Sequence, residues 1–125
     1  MLFRSDIRRA AELKAARYIK VKLMKLGGLD RLAAAIDTVR ACGMEPVLGN
    51  GVACEIGCWM EACVARGRIT NAGEMNGFLK PAARLLRNPL KFNNGAVVLE
   101  PGYRPELDHD ALARCTVARE TFKLR

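Results

Sequence analysis

Residues 18–28, Tyr18-Ile19-Lys20-Val21-Lys22-Leu23-Met24-Lys25-Leu26-Gly27-Gly28, decide the fold. Alternation places Ile19, Val21 and Leu23 on one face of a strand, and Tyr18, Lys20, Lys22 and Met24 on the other. Beyond the glycine pair, Leu29, Leu32, Ile36 and Val39 recur at helical spacing, with Asp30, Arg31, Asp37 and Arg40 largely off that stripe. A strand that runs through glycines into an amphipathic helix is one βα step of a parallel sheet. Lysine is costly to bury without a partner or a function, so packing alone does not explain two of them alternating on an inner face. Solvated lysines on an exposed edge strand are the other reading of the same spacing.

Working outward, Gly43 is a helix stop, because glycine enters the left-handed region without penalty. Met44 to Leu48 is apolar enough to be the next buried strand, with Pro46 suited to its first residues because it lacks an N–H. Gly49-Asn50-Gly51 reads as a loop. Ile56, Met60, Cys63 and Val64 mark a second amphipathic helix that stops at Gly67. Upstream, Ser5 or Asp6 is placed to cap a helix with Ile7, Ala10, Ala11 and Lys14 on one face. Downstream the periodicity weakens. Asn71 to Glu74 reads as a short strand ending in a carboxylate, Met75-Asn76-Gly77 as a turn, and Phe78 to Arg87 as a loop with a broken helix around Pro81. Ala96 to Leu99 is a strand announced by the Asn93-Asn94-Gly95 turn signal. Asp108 or Asp110 then caps a helix through Arg119, and the end to Arg125 is a basic, frayed tail.

Composition bounds the rest. The 125 residues suit one domain, residues 1–125, and the 50% apolar content suits a globular chain rather than a disordered one. The formal charge of +8 comes from 21 Lys and Arg against 13 Asp and Glu, scattered from Arg4 to Arg125 without a dense block or interleaved aromatics. That pattern fits a solvated basic surface, or one that attracts anionic substrates; nucleic acid is not the expected partner. No apolar run approaches a membrane span, and the start lacks the apolar core of a secretory signal. The five cysteines are an odd count, which suits reduced thiols in a cytoplasmic protein. Cys54, Cys58 and Cys63 with the single His109 invite a metal reading, but no paired CxxC spacing supports it, and no metal ligand is assigned in this chain.

KLMKLGGLDRL, then the helix, then VLGNG, then NAGEMNGFLKP, in that order and separation, resemble the C-terminal part of the enolase superfamily. More narrowly they are similar to its mandelate racemase and muconate lactonizing branch, over about Asp6 to Leu112. The resemblance implies an α/β fold: a partial (β/α) barrel of the TIM type, about its last three βα units, with a C-terminal β-strand and helix. It implies a magnesium-dependent enzyme that removes the proton alpha to a substrate carboxylate, with the metal held by carboxylates upstream of Met1. A cation beside the developing oxyanion lowers the barrier to such a step by several kcal/mol. The motif puts the acid–base lysine on Lys22, a structural or electrostatic part on Lys25, and on Glu74 a carboxylate that contacts substrate or the metal-side network. Asn50 lies in the loop where barrel active sites sit, as a substrate contact or as a turn residue with positive φ.

The chain also departs from the pattern. Ala53 stands where a glutamate is usual, no histidine follows the seventh strand, and Pro101-Gly102-Tyr103-Arg104 replaces the usual Pro-Gly-Leu-Gly. Two functions therefore stay open. One is a portion of a racemase or epimerase, cycloisomerase or dehydratase acting on a small carboxylate. The other is a catalytically inactive scaffold whose open sheet joins a partner chain or itself.

Overall fold

The computed structural model describes residues 4–50 and 53–122. The turn residue Gly51 and the end of the basic tail lie outside them. In chain order the elements are α1 (Arg4–Glu12), β1 (Tyr18–Val21), α2 (Leu23–Leu26), α3 (Leu29–Ala41), β2 (Glu45–Leu48), α4 (Glu55–Ala65), a 3-10 turn (Gly77–Leu79), β3 (Lys91–Asn93), β4 (Ala96–Val98) and α5 (His109–Cys115).

β1 and β2 pair in parallel, with Tyr18 opposite Glu45 and Val21 opposite Leu48. A parallel bridge between Gly49 and Glu74 extends the sheet on the far side of β2. There the Glu74 N–H donates to the Leu48 carbonyl and the Asn50 N–H to the Glu74 carbonyl, each at 2.9 Å. β2 thus lies between β1 and the Glu74 segment. Helix α3 connects the first step and α4 the second, as parallel pairing requires.

The core lies between this sheet and the helices. Ile19, Val21 and Leu48 meet Ile7 of α1 and Leu32, Ala35, Ile36 and Val39 of α3. Leu32, Ile36 and Val39 are fully buried, and each contributes about 1.5–3 kcal/mol by leaving water. Leu29, expected on the same stripe, is only half-buried, and Ala35 takes its share of the interface. Pro46 is the second residue of β2 and is buried. The flanking Glu45 and Gly49 N–H groups face β1, donating to Arg17 and Val21 carbonyls. By alternation the missing Pro46 N–H falls on the other side, ahead of the Glu74 bridge. Its carbonyl there accepts from Asn71 Nδ2 at 3.1 Å.

Several sequence expectations are corrected. β1 ends at Val21, and Leu23 and Met24 belong to α2 rather than to the strand. Gly27 closes that turn with φ 76°, its N–H donating to the Leu23 carbonyl at 2.9 Å. The buried residues of α4 are Glu55, Cys58 and Glu61, while the expected Cys63 is exposed. A buried carboxylate needs partners. Glu55 has Arg84 Nη1 at 3.3 Å and the Leu85 N–H at 3.2 Å. Ser5 and Asp6 lie inside α1 rather than capping it, and Lys14 follows the helix with φ 49°.

Beyond Glu74 a second cluster forms around Cys58, Phe78 and Leu90, with Trp59, Val97 and Tyr103 packed on it. Trp59 meets Tyr103 edge-on with ring centroids 6.4 Å apart. The β3–β4 hairpin turns through Asn94 (φ 48°) and Gly95 (φ 79°), the paired positive φ values of a tight primed turn. The β3 strand had no signature of its own, since every residue in it is exposed. Asp108 caps α5 by accepting from the Ala111 N–H at 2.9 Å, and the helix stops at Cys115, short of Arg119.

Candidate functional site

The C-terminal ends of β1 and β2, with the bridging Glu74, bring charged side chains together. Ile19 and Val21 face the helices, so Lys20 takes the opposite face by the two-residue period of the strand. Its amino group pairs with the Glu74 carboxylate. The stem crosses directly over Gly49: a Cβ there would lie 2.5 Å from Lys20 Cε and 2.8 Å from Cγ. Glycine at this position is therefore what lets Lys20 reach across the end of β2. The Lys20 hydrogen bond and charge hold the Glu74 carboxyl below the ordinary carboxylate range, with Lys22 and Lys80 adding to the effect.

Lys22 is the last extended residue before α2 (φ −138°, ψ 133°). No described carboxylate pairs with it. Lys25 is exposed on α2. Lys20, Lys22 and Lys25 rim a slot of about 230 Å³ with Ile7, Val21 and Ala35 in its wall. Glu74 also borders a groove of about 630 Å³ between the end of α4 and the hairpin, where Arg66, Asn71 and Phe92 lie. Of the four residues singled out from sequence, Lys22 and Glu74 are thus brought to one electrostatic neighbourhood, and Lys25 stands at the rim of the slot.

Asn50 is placed differently. It is buried, and its Nδ2 donates to Cys58 Sγ at 3.1 Å and to Glu61 Oε2. Its Oδ1 is buried without a hydrogen-bond partner among the described residues. The second oxygen of Glu61 accepts from the Leu23 N–H at 3.0 Å. One buried carboxylate on α4 therefore ties the turn after Lys22 to the loop after β2. Burial and the neighbouring Glu61 charge push the Cys58 thiol up, partly offset by its hydrogen bonds.

Sequence reading passed over Lys20, Gly49 and Glu61 as site residues. The alternation did mark Lys20 as a neighbour of Lys22. Glu61 had a faint signal, three residues after Cys58 and so on its helical face. Among the described residues no group of three or more His, Cys, Asp or Glu is placed to hold a metal ion. The described residues do not fit a magnesium site.

No protein-family model matches the sequence, and no curated protein does. Solved structures do match. The muconate lactonizing enzyme from Pseudomonas fluorescens, complexed with muconolactone, superposes with TM-score 0.77 and 22% identity over 89% of this chain and 31% of that one. The N-succinyl Arg/Lys racemase from Bacillus cereus gives 0.77 and 25% over 91% of this chain and 31% of its own. The chain is a small α/β unit whose fold fits a fragment of the enolase superfamily. The L-Ala-D/L-Glu epimerase from Bacillus subtilis, in a substrate-liganded complex, matches that segment less closely, with TM-score 0.69 and 18% identity over 83% of this chain and 28% of that one. The segment spans about a third of the length of the structures it matches.

Proposed function

We propose that this chain is the acid–base portion of an enolase-superfamily enzyme acting on a small carboxylate. The observation that carries the reading is the gathering of Lys20, Lys22 and Glu74 at the C-terminal ends of parallel strands, with Glu74 held ionised by Lys20. Barrel chemistry sits at that end. In this reading Lys22 exchanges a proton with the carbon alpha to the substrate carboxylate, and it makes no ion pair with a described carboxylate that would tie its amino group down. Lys20 is fixed by Glu74 and supplies a steady positive charge beside it. Lys25 adds charge at the rim. Asn50, held by Glu61 and Cys58 just beyond the end of β2, stands on the substrate side.

The racemase or epimerase, cycloisomerase and dehydratase outcomes share that proton transfer. Magnesium, which the resemblance implies, stabilises the enolate in such enzymes, and its ligands would come from outside these residues. A cytoplasmic setting suits the five free cysteines. No helix among the described residues is long and apolar enough to cross a membrane.

The test is exchange of the alpha proton in deuterated water, followed by NMR. Probes are N-succinyl-lysine, the dipeptide L-Ala-D-Glu and muconolactone, each with and without magnesium. The reading expects exchange with at least one probe and its loss on Lys22→Ala. Well-folded protein that exchanges none of them would refute autonomous catalysis.

The open sheet favours a second reading, an inactive module completed by a partner. Among the described residues β1 pairs with β2 alone, and Tyr18, on the face away from the helices, is 53% exposed. That module would show a defined stoichiometry in sedimentation and no exchange.

A further inference from the structure

Cys58 is a buried thiol that the proposed chemistry leaves unused, and it fastens two loops to α4. Asn50 Nδ2, beyond the end of β2, donates to its Sγ at 3.1 Å. The backbone N–H of Phe78, in the 3-10 turn after Glu74, donates to the same sulfur. Phe78 is itself buried with Cys58 and Leu90, and meets Phe92 edge-on with ring centroids 6.2 Å apart. Within the turn the Leu79 N–H donates to the Asn76 carbonyl at 3.1 Å, and the Lys80 N–H to the Gly77 carbonyl at 3.2 Å. The backbone of Lys80 is therefore fixed close behind Glu74, while its side chain is exposed.

That side chain belongs electrostatically to the site. Lys20 first, and then Lys22 and Lys80, hold the Glu74 carboxyl low. Of the three, Lys20 alone is ion-paired among the described residues. In the proposed reaction Lys20 is committed to Glu74, and Lys22 to the proton. Lys80 is left as a cation near the same carboxylate, on a pinned turn and without an ion-pair partner among the described residues.

From this placement we infer that Lys80 is a specificity residue, selecting substrates with a second carboxylate at the end remote from the carbon that loses its proton. The inference rests on the proposed function and deepens it by naming the substrate class, a dicarboxylate. A phosphate group fits less well, because phosphates draw on several backbone N–H groups or on the fork of an arginine, and this turn offers one ammonium. An exposed ion pair is worth little in absolute terms, so the contact discriminates by a few fold rather than binding tightly. A neutral far end gains nothing from it, and a cationic one is repelled.

The test compares N-succinylalanine with N-butanoylalanine, which differ in a carboxylate for a methyl at the far end. Alpha-proton exchange in deuterated water with magnesium is followed by NMR for the parent, Lys80→Met, Lys80→Arg and Lys91→Met. The parent should show a KM about fivefold lower for the succinyl probe. Lys80→Met should raise that KM to the butanoyl value, and Lys80→Arg should restore the preference. Lys91→Met removes the same charge from β3 and should keep it. Equal KM values in the parent, or a preference that survives Lys80→Met, would overturn the inference and leave the proton transfer standing.

If neither probe exchanges, it is the proposed function that fails, and binding then decides the inference separately. Lysines are converted to their 13C-dimethyl form, which keeps the charge, and titrated with glutarate or butyrate. A saturable shift of the Lys80 resonance, reached at lower glutarate than butyrate and lost at high salt, supports Lys80 as the reader of a second carboxylate. No shift, or the same titration with both acids, overturns it.

Discussion

Replacing Glu61 by alanine should be among the most damaging single changes in this chain. The side chain is 3% exposed and accepts two hydrogen bonds, from the Leu23 N–H at 3.0 Å and from Asn50 Nδ2. The Leu23 amide lies in the first turn of α2, where no intrahelical carbonyl is available to it. Asn50 Nδ2 would keep only the weak acceptor Cys58 Sγ. Leaving a buried donor unsatisfied costs about 1–3 kcal/mol, and two such losses, less the relief of no longer burying a charge, come to about 3 kcal/mol. With a urea slope of about 1.5 kcal/mol/M, the unfolding midpoint should fall by about 2 M at unchanged slope.

Glu61→Gln separates hydrogen bonding from charge. Its oxygen keeps the Leu23 amide. Its nitrogen meets Asn50 donor-to-donor until the Asn50 amide flips, and the flip brings the unpartnered Oδ1 round as an acceptor. That variant should lose only about 1 kcal/mol. An alanine variant within about 1 kcal/mol of the parent would refute the clamp. A glutamine variant as damaged as the alanine one would show that the negative charge, not the bonding geometry, is what matters.

Gly49→Ala should displace Lys20 from Glu74, because the new Cβ falls within 3 Å of the lysine stem. The Glu74 carboxyl, now held low, should titrate at higher pH in that variant and in Lys20→Met, as followed by carboxyl carbon NMR. Because the folded-state value is depressed, the stability due to this pair is present above the ordinary carboxylate pKa. It disappears as pH falls through the lowered value; a pair insensitive to acid would contradict the assignment. Iodoacetamide should label the exposed Cys115 readily in the native state, and Cys58, buried and shifted up, only on unfolding, as read by peptide mass spectrometry. Tyr103→Phe removes the 2.7 Å bond to the Asn88 carbonyl and should lower stability by about 1 kcal/mol, seen as a lower melting temperature.

The parts of the fold legible in sequence are those where a period and a stop coincide. The helix from Leu29 to the Gly43 turn declares both its buried stripe and its end, and β2 its apolar run. What escaped is where tertiary partners overrule pattern. Alternation carries through Leu23 and Met24 with no break, and the Leu23 amide finds its acceptor in the Glu61 carboxylate, far along the chain. The apolar residues of α4 advertise a face that the helix does not bury most deeply. Glutamates sit there instead, because their partners at Arg84, Leu85 and Asn50 lie on other segments. No local rule reads a buried carboxylate from one helix alone.

The same limit explains why Lys20 and Lys22 look equivalent in the sequence and differ in the structure. Both follow the strand period, on the face away from the helices. Lys20 is still within the ladder, and its stem lies over Gly49 to Glu74, so its charge is fixed and partnered. Lys22 stands where the backbone leaves the sheet for α2, near enough to Glu74 to help lower its carboxyl but not ion-paired with it, at the rim of a partly apolar slot. The proposed proton transfer would use that division: one charge held still to orient the field, and one amino group without an ion pair. It coincides with the point at which β1 stops, where Glu61 accepts from the Leu23 amide. Under the proposed function the clamp on α4 bears on chemistry as well as on stability. Its loss should blunt any alpha-proton exchange even where the remaining fold survives.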